Sequence, residues 1–541
     1  MKVVVLGSLL ALVAVPVMEA QRPEALDSVF SAYDRTDGPG CAVAVSRDGK
    51  VLAARGFGMS DLAQNLAITP HSVFHVASVS KQFTGMSLVL LAKSGAVSLD
   101  DDIRKYLPEL PSYGQVVTIR HLLTHTGGIR DQWSLLMTAG WRLGDDLITE
   151  QDVLEIVVRQ RSLNFAPGTD WLYSNSGFSL AAIIVKRVTG KTLREYAEEQ
   201  MFRPLQMSQT HFHDDNGMVV PGRTRGYGYR GAWKETVPNY STVGATSLFT
   251  TVIDLVQWHR HLDEGLLGGP ESLRTLLTPA VLTSGDSLQY ALGIQHGSYR
   301  GVPTISHSGG DPGYRTHLLH FPSFKGGVSV LCNQNEANPV LLGEQTADRF
   351  FASELQPVRI PGDSAAGGAL VKATGLYWSE QTEGIATVEI EGTRLGWKTG
   401  PVSTRLRRLT EDSYSIGNGP GRLQVVPNGV VARTGNGEPS RYARVDAWVP
   451  SAADRAALAG RYTSDEIGVT WQIRLAGDTL SLERRKFSAA PLTAVFRDTY
   501  TASSGGLQLV IRAVRDKAGK VTGVTVGSGR VRRVAFSKEK A

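Results

Sequence analysis

Ser78-Val79-Ser80-Lys81 sets a hydroxyl and an amine three residues apart at the head of an apolar run, Gln82 to Lys93, that stops near Gly95. On a helix that spacing brings both side chains to one face about a turn apart, so the amine can reach the hydroxyl. A serine alone is inert at neutral pH. An amine whose pKa is lowered by burial or neighbouring cations can take its proton, and the helix N-terminus favours negative charge near Ser78. The chemistry implied is nucleophilic attack by Ser78 with Lys81 as base. The two-letter pattern is weak by itself, and a second copy, Ser537 to Lys540, lies in a charged C-terminal tail without that setting.

Tyr173-Ser174-Asn175 follows Phe165-Ala-Pro-Gly168 and precedes the apolar run Gly177 to Val185, which puts it in a loop just before a buried helix. A tyrosine held there near lysines is expected to lose pKa and shuttle a proton, while Asn175 can accept from Lys81 and donate to a substrate carbonyl. His307-Ser308-Gly309-Gly310 sits at the end of a strand-like stretch, Val302 to Ser306, and two further strand candidates follow, His317 to Phe321 and Gly327 to Leu331. The pattern predicts a three-strand meander. Gly309 and Gly310 leave the strand edge bare for a substrate backbone, and the Gly310 N–H can join that of Ser78 as an oxyanion hole.

Other chemistries find less support. No Gly-x-Ser-x-Gly elbow occurs, so a hydrolase of the α/β type is excluded. His121-Leu-Leu-Thr-His125 spaces two histidines by a helical turn but lacks the glutamate of a zinc protease, and reads as structural. His211, His213, His259 and His261 form pairs with no carboxylate or cysteine company and read as surface or core residues. All twelve histidines lie between His71 and His320, so a histidine-dependent step belongs to the first part of the chain. No metal or cofactor is expected.

These residues need a large scaffold, and 541 residues with 42% hydrophobic and 20% charged side chains supply one. A net charge of +6 is dilute over this length, and no run of basic residues concentrates it, which argues against a nucleic-acid partner. Residues 1–20 have the layout of a secretory signal, with Lys2, an apolar stretch from Val3 to Val17 and Ala20 before the cut, so a secreted or periplasmic protein is expected. No later segment is apolar enough to span a bilayer. Cys41 and Cys332 are the two cysteines, each in a strand-like run; a bridge and two buried thiols are both open.

The division of the chain is readable. Residues 24–355 mix strands with amphipathic helices. Residues 356–369 have a linker's proline, glycine and small-residue content. Beyond lies a repeat: Gly375-Leu-Tyr377 recurs as Gly460-Arg-Tyr462, Ile390-Glu-Gly392 as Leu475-Ala-Gly477, Asp412-Ser-Tyr414 as Asp498-Thr-Tyr500, and Leu423-Gln-Val-Val426 as Leu507-Gln-Leu-Val510. Val469, Trp471, Ile473 and Leu475 alternate with polar or small residues, so each copy has one buried face. Two closed antiparallel barrels, 370–449 and 450–541, bury those faces and remove the edges. Lys398-Thr-Gly400 falls between strands of the first and reads as a hairpin turn.

Serine, tyrosine and histidine motifs in this order, with the flanking Ile119-Arg-His-Leu-Leu-Thr-His-Thr-Gly-Gly128 and Pro167-Gly168, resemble the serine penicillin-recognising hydrolases over residues 24–355. That group includes class C β-lactamases, D-alanyl-D-alanine carboxypeptidases, serine esterases and D-aminopeptidases. The resemblance implies an α+β fold, a β-lactamase/transpeptidase-like antiparallel sheet flanked by helices with an all-helical cluster, here followed by two small antiparallel β-barrels. It also implies an acyl-enzyme on Ser78, with Lys81 and Tyr173 sharing the proton work, Asn175 positioning and His307 assisting. The β-lactamase pattern wants Lys-Thr-Gly as its third element. This chain has His307-Ser-Gly there, and with its C-terminal barrels it looks most like the D-aminopeptidase branch. The barrels are open to three roles: spacers, ligand modules, or, as that resemblance implies, a loop that caps the cleft and excludes long substrates. A small peptide or ester is the expected substrate. The alternatives are a carboxypeptidase, a β-lactamase, and a non-catalytic peptidoglycan-binding protein of the same fold.

Overall fold

Cys41, Val43 and Val45 pack with Leu26, Phe30, Leu342 and Phe350, whereas Ala42 and Ala44, between them, join the core that holds Phe83 and Trp258. Successive strand residues face opposite ways, so this strand is buried on both faces and is the hinge of the architecture. The structure, a computed structural model, describes residues 24–357 and 373–540, apart from 393, 401, 411, 418–420 and 434–438. The expected signal at 1–20 and most of the linker at 356–369 lie outside the described residues.

The central sheet is six-stranded and antiparallel, in the order Gln295–Tyr299, Val302–Asp311, Tyr314–Phe321, Gly326–Cys332, Cys41–Arg47, Lys50–Phe57. The N-terminal hairpin thus completes a sheet begun by the C-terminal meander. Cys41 and Cys332 are register partners across the seam and form a disulfide, which resolves the open choice. Helices Glu24–Phe30 and Pro339–Phe350 cover one face. The other face meets the helical cluster, in which Ser80–Lys93 and Asn175–Thr189 are the most buried members.

The meander differs from expectation in one respect. Val302–Asp311 is a single strand that runs through His307 and both glycines rather than ending before them. Gly309 allows this, because a Cβ there would lie 2.3 Å from the Val76 carbonyl oxygen and 2.2 Å from Thr316 Oγ1. Its absence lets the strand pack directly on the turn that carries Ser78.

Eight strands between Gly375 and Val445 close into a barrel. A helix, Ala452–Leu458, follows; the alternating pattern did not predict it, although Ser451 and Asp454 form a capping box that marks its start. Nine strands from Gly460 to Lys538 then form a curled sheet whose two end strands, Ala490–Pro491 and Thr493–Phe496, are separated by Leu492 alone. The edges must therefore meet, and the sheet is a nearly closed barrel. The repeat has a structural basis: the Tyr377 hydroxyl donates to the Ala373 carbonyl at 2.7 Å, and Tyr462 does the same to Leu458 at 2.6 Å. Gly375 and Gly460 share a backbone conformation, φ +157° and +146°, that side chains rarely adopt.

The second barrel is locked to the hydrolase domain by a buried ion pair, Arg130 Nη1 to Glu466 Oε1 at 3.2 Å. Gln160 supports both partners, accepting from Arg130 Nη1 at 2.8 Å and donating to the Glu466 carbonyl at 2.9 Å. A buried charge with such partners is costly to break, so the contact holds this barrel over the cleft.

Candidate active site

Ser78 stands in a 3-10 turn, Ala77–Val79, that leads into the helix Ser80–Lys93. Ala77 has φ +49°, a left-handed conformation that a non-glycine residue enters only where the surroundings impose it. Thr316 Oγ1 fixes the turn from the sheet side by donating to the Val76 carbonyl at 2.9 Å. Ser78 itself is part-exposed on the floor of a cleft of about 1090 Å³.

Lys81 is fully buried. Its Nζ lies 3.1 Å from Ser78 Oγ, 2.8 Å from Asn175 Oδ1 and 2.6 Å from the Ala245 carbonyl oxygen. Burial, reinforced by the Arg530 guanidinium and opposed by the Asp311 and Asp131 carboxylates, lowers this amine to about 7. A neutral amine has two hydrogens and one lone pair. The Ala245 carbonyl and Asn175 Oδ1 can only accept, so they take both hydrogens and leave the lone pair facing the Ser78 hydroxyl. The amide of Asn175 cannot be flipped, because its Nδ2 donates to Asp131 Oδ2 at 2.7 Å. Asp131 also accepts from the Asn175 backbone N–H at 2.8 Å and caps the helix Gln132–Thr138 through Ser134. Since one Asn175 N–H is spent on Asp131, the amide has a single hydrogen left for a substrate.

Tyr173 lines the cleft with Ser78, and its ring lies 4.8 Å from Lys81 Nζ. Here the expectation needs correction. Burial outweighs the Arg530 guanidinium and pushes the phenol above its ordinary value, so Tyr173 stays protonated and is suited to donate a proton rather than remove one.

His307 is buried and neutral, held at about 3 chiefly by desolvation. The Ser174 backbone N–H donates to His125 Nδ1 at 3.1 Å, so His125 carries its proton on Nε2 and donates to the Tyr290 hydroxyl at 3.2 Å. Tyr290 then donates to His307 Nε2 at 3.0 Å, and His307 Nδ1–H bonds the Ser308 carbonyl at 2.7 Å. Both ring nitrogens of His307 are thus engaged, and it braces the cleft wall. His125, read from sequence as structural, is one step from the centre of this network. His211, His213, His259 and His261 lie elsewhere in the core region; His259 pairs with His320, whose Nε2 bonds Asp263 Oδ1 at 2.9 Å.

Two hairpins define where the Gly310 N–H points. The closing pairs Tyr299/Val302 and Asp311/Tyr314 flank two-residue turns and are hydrogen-bonded pairs. Alternation along Val302–Asp311 then directs the backbone groups of Ser308 and Gly310 away from Tyr314–Phe321. Pairing with the strand on that other side ends at Ser306. The Gly310 N–H therefore faces an open edge lining the cleft beside Ser78, as an oxyanion donor requires.

The roof comes from the second barrel. Gly506, Leu507 and Gln508 on one hairpin and Ser528, Gly529 and Arg530 on another line the same cleft as Ser78. Lys398-Thr399-Gly400 does not join them. Lys398 and Thr399 end a strand of the first barrel, Gly400 follows as a turn residue, and the three border an adjoining cavity of about 850 Å³ between the hydrolase domain and the barrels, which shares Trp171, Gln508 and Gly529 with the cleft.

A serine 3.1 Å from a buried lysine amine that gives up its proton near neutral pH, in one cleft with a protonated tyrosine, is an arrangement suited to a serine hydrolase. The Beta-lactamase family model matches residues 26–352, and the chain belongs to that family. It is 28% identical to a D-aminopeptidase of Gluconobacter oxydans, over 73% of this chain and 77% of that one, and 26% identical to a D-aminopeptidase of Brucella melitensis, over 93% and 96%. It is also 26% identical to penicillin-binding protein 4* of Bacillus subtilis, over 59% and 73%. In fold it is similar to an octameric penicillin-binding protein homologue from Pyrococcus abyssi, with TM-score 0.55, 21% identity and coverage of 77% and 97%.

Proposed function

We propose that this serine hydrolase is an exported amidohydrolase of the D-aminopeptidase type, which acylates Ser78 with a small peptide, amide or ester. The observation that carries this reading is Lys81 Nζ set 3.1 Å from Ser78 Oγ with two acceptors, Asn175 Oδ1 and the Ala245 carbonyl, for its hydrogens, so that the neutral amine turns its lone pair to Oγ. As Oγ attacks the substrate carbonyl, its proton passes to Lys81 Nζ and the oxyanion accepts from the Ser78 and Gly310 N–H groups. The proton then moves through the Tyr173 hydroxyl to the leaving amine, and the C–N bond breaks. Water attacks the acyl-serine, its proton returns along the same route, and the acid is released.

Likeness to D-aminopeptidases over nearly the whole chain, barrels included, supports the amidase reading and a short-substrate cleft under a roof. The Cys41–Cys332 disulfide supports export, since such bridges persist in oxidising compartments. A fluorophosphonate should label Ser78 and abolish turnover of D-alanine p-nitroanilide. Ser78→Ala should remove both labelling and turnover while keeping the melting temperature; an alanine variant with parental turnover would refute the assignment.

A further inference from the structure

Three arginines line the cleft, and they are not equivalent. Arg315 spends Nη1 on the carbonyls of Asp311 and Tyr314, at 2.9 and 2.7 Å. Arg230 rides on the hairpin formed by Tyr227–Tyr229 and Trp233–Glu235. Arg530 lies against the reacting groups: its guanidinium is 4.7 Å from the centre of the Tyr173 ring, with no hydrogen bond or ion pair among the described residues. Its backbone is clamped on both sides by one amide, with Asn164 Nδ2 donating to the Arg530 carbonyl at 3.0 Å and Asn164 Oδ1 accepting from the Arg532 N–H at 2.9 Å. The hydrolase domain therefore holds this hairpin tip in place.

The anions of the cleft are already engaged. Asp131 accepts from Asn175 and Ser134, and Asp311 Oδ2 accepts from Thr246 and lies 2.8 Å from His75 Nε2. An open guanidinium fork in a cleft without a spare counter-ion is suited to a carboxylate that the substrate brings. Its position says which carboxylate. Tyr173 lines the cleft with Ser78, and in the proposed reaction its hydroxyl is the donor to the leaving amine, so a cation stacked on that ring stands on the leaving-group side. In a leaving amino acid the carboxylate is two bonds from that nitrogen.

We propose that Arg530, delivered by the second barrel, is a specificity-determining residue that pairs with the α-carboxylate of a single leaving amino acid, so that the preferred substrates are dipeptides. The inference rests on the amidohydrolase reading and narrows it. It predicts that D-alanyl-glycine is cleaved about ten- to a hundredfold better in kcat/KM than D-alanyl-glycinamide, the range set by one charge-assisted pair.

The test measures that acid-to-amide ratio for the wild-type chain, Arg530→Gln, Arg530→Lys and Arg230→Gln, at pH 8.5, above the wild-type Lys81 transition. A ratio cancels any general loss of activity in a variant. Arg530→Gln should bring it near one, mainly through KM for the acid, and Arg530→Lys should give an intermediate value. The proposal is overturned by a wild-type ratio near one, by an unchanged ratio in Arg530→Gln, by collapse in Arg230→Gln instead, or by turnover of D-alanine p-nitroanilide with neither dipeptide cleaved. Absence of turnover on every substrate together with no Ser78 adduct would instead refute the hydrolase reading.

Discussion

The rate at which a fluorophosphonate modifies Ser78 should follow one proton, the one on Lys81. The probe reacts by attack of Oγ on phosphorus with loss of fluoride, so no leaving amine needs a proton and Tyr173's donation does not enter. With the Lys81 amine at about 7, the neutral base is about half populated at pH 7, roughly a hundredth at pH 5, and nearly complete above pH 8. An ordinary lysine, near 10.4, would be neutral in only about one molecule in 2500 at pH 7, and the rate would still climb tenfold per unit at pH 9. The structural causes set the direction. Burial of Nζ, together with Arg530, disfavours the ammonium, while Asp311 and Asp131 favour it, and burial dominates. Second-order labelling rates from pH 5 to 9.5 should rise with unit slope, bend near pH 7 and plateau. Arg530→Gln removes a cation and should move the bend to higher pH. A log rate still rising with unit slope between pH 8 and 9.5 in the wild-type chain would show that Lys81 is charged at rest, and the base assignment would fail.

Gly309→Ala places a Cβ within 2.3 Å of the Val76 carbonyl oxygen. The strand and the Ser78 turn must separate, at a cost of about 1–3 kcal/mol, and both the melting temperature and kcat should fall; an unchanged kcat would show that the packing does not position the nucleophile. Tyr290→Phe strands His125 Nε2–H and His307 Nε2, at about 1–3 kcal/mol. Thermal denaturation should register that loss while labelling keeps its bend near pH 7, because neither ring nitrogen of His307 bonds Lys81; a moved bend would place the histidine network in the base function.

Much of this was legible in the chain because it is local. Ser78 and Lys81 sit on one turn and its helix, Tyr173 and Asn175 flank one helix start, and the repeat is visible as equivalent Gly-x-Tyr triplets whose tyrosines bond the carbonyl four residues back. The Tyr173 phenol shifts upward rather than downward, since the lysine of the Ser-x-x-Lys motif is visible in sequence and the desolvation that dominates at the phenol is not. Asp131, Tyr290, Asp311 and Arg530 carried no signal of their own. Asp131 looks like any helix cap, and Tyr290 like any core tyrosine between strands.

Sequence alone determined which groups could react, because hydroxyl, amine, phenol and imidazole are covalent facts and their spacing on a turn, a helix or a strand follows from backbone geometry. Tertiary structure decided their protonation and what substrate they could meet. The Lys81 amine is lowered to about 7 because the fold removes its water, the Gly310 N–H faces the cleft because two hairpin registers agree, and Arg530 meets Tyr173 because a buried ion pair docks the second barrel over the cleft. Burial and docking are sums over many distant residues, which no short segment contains.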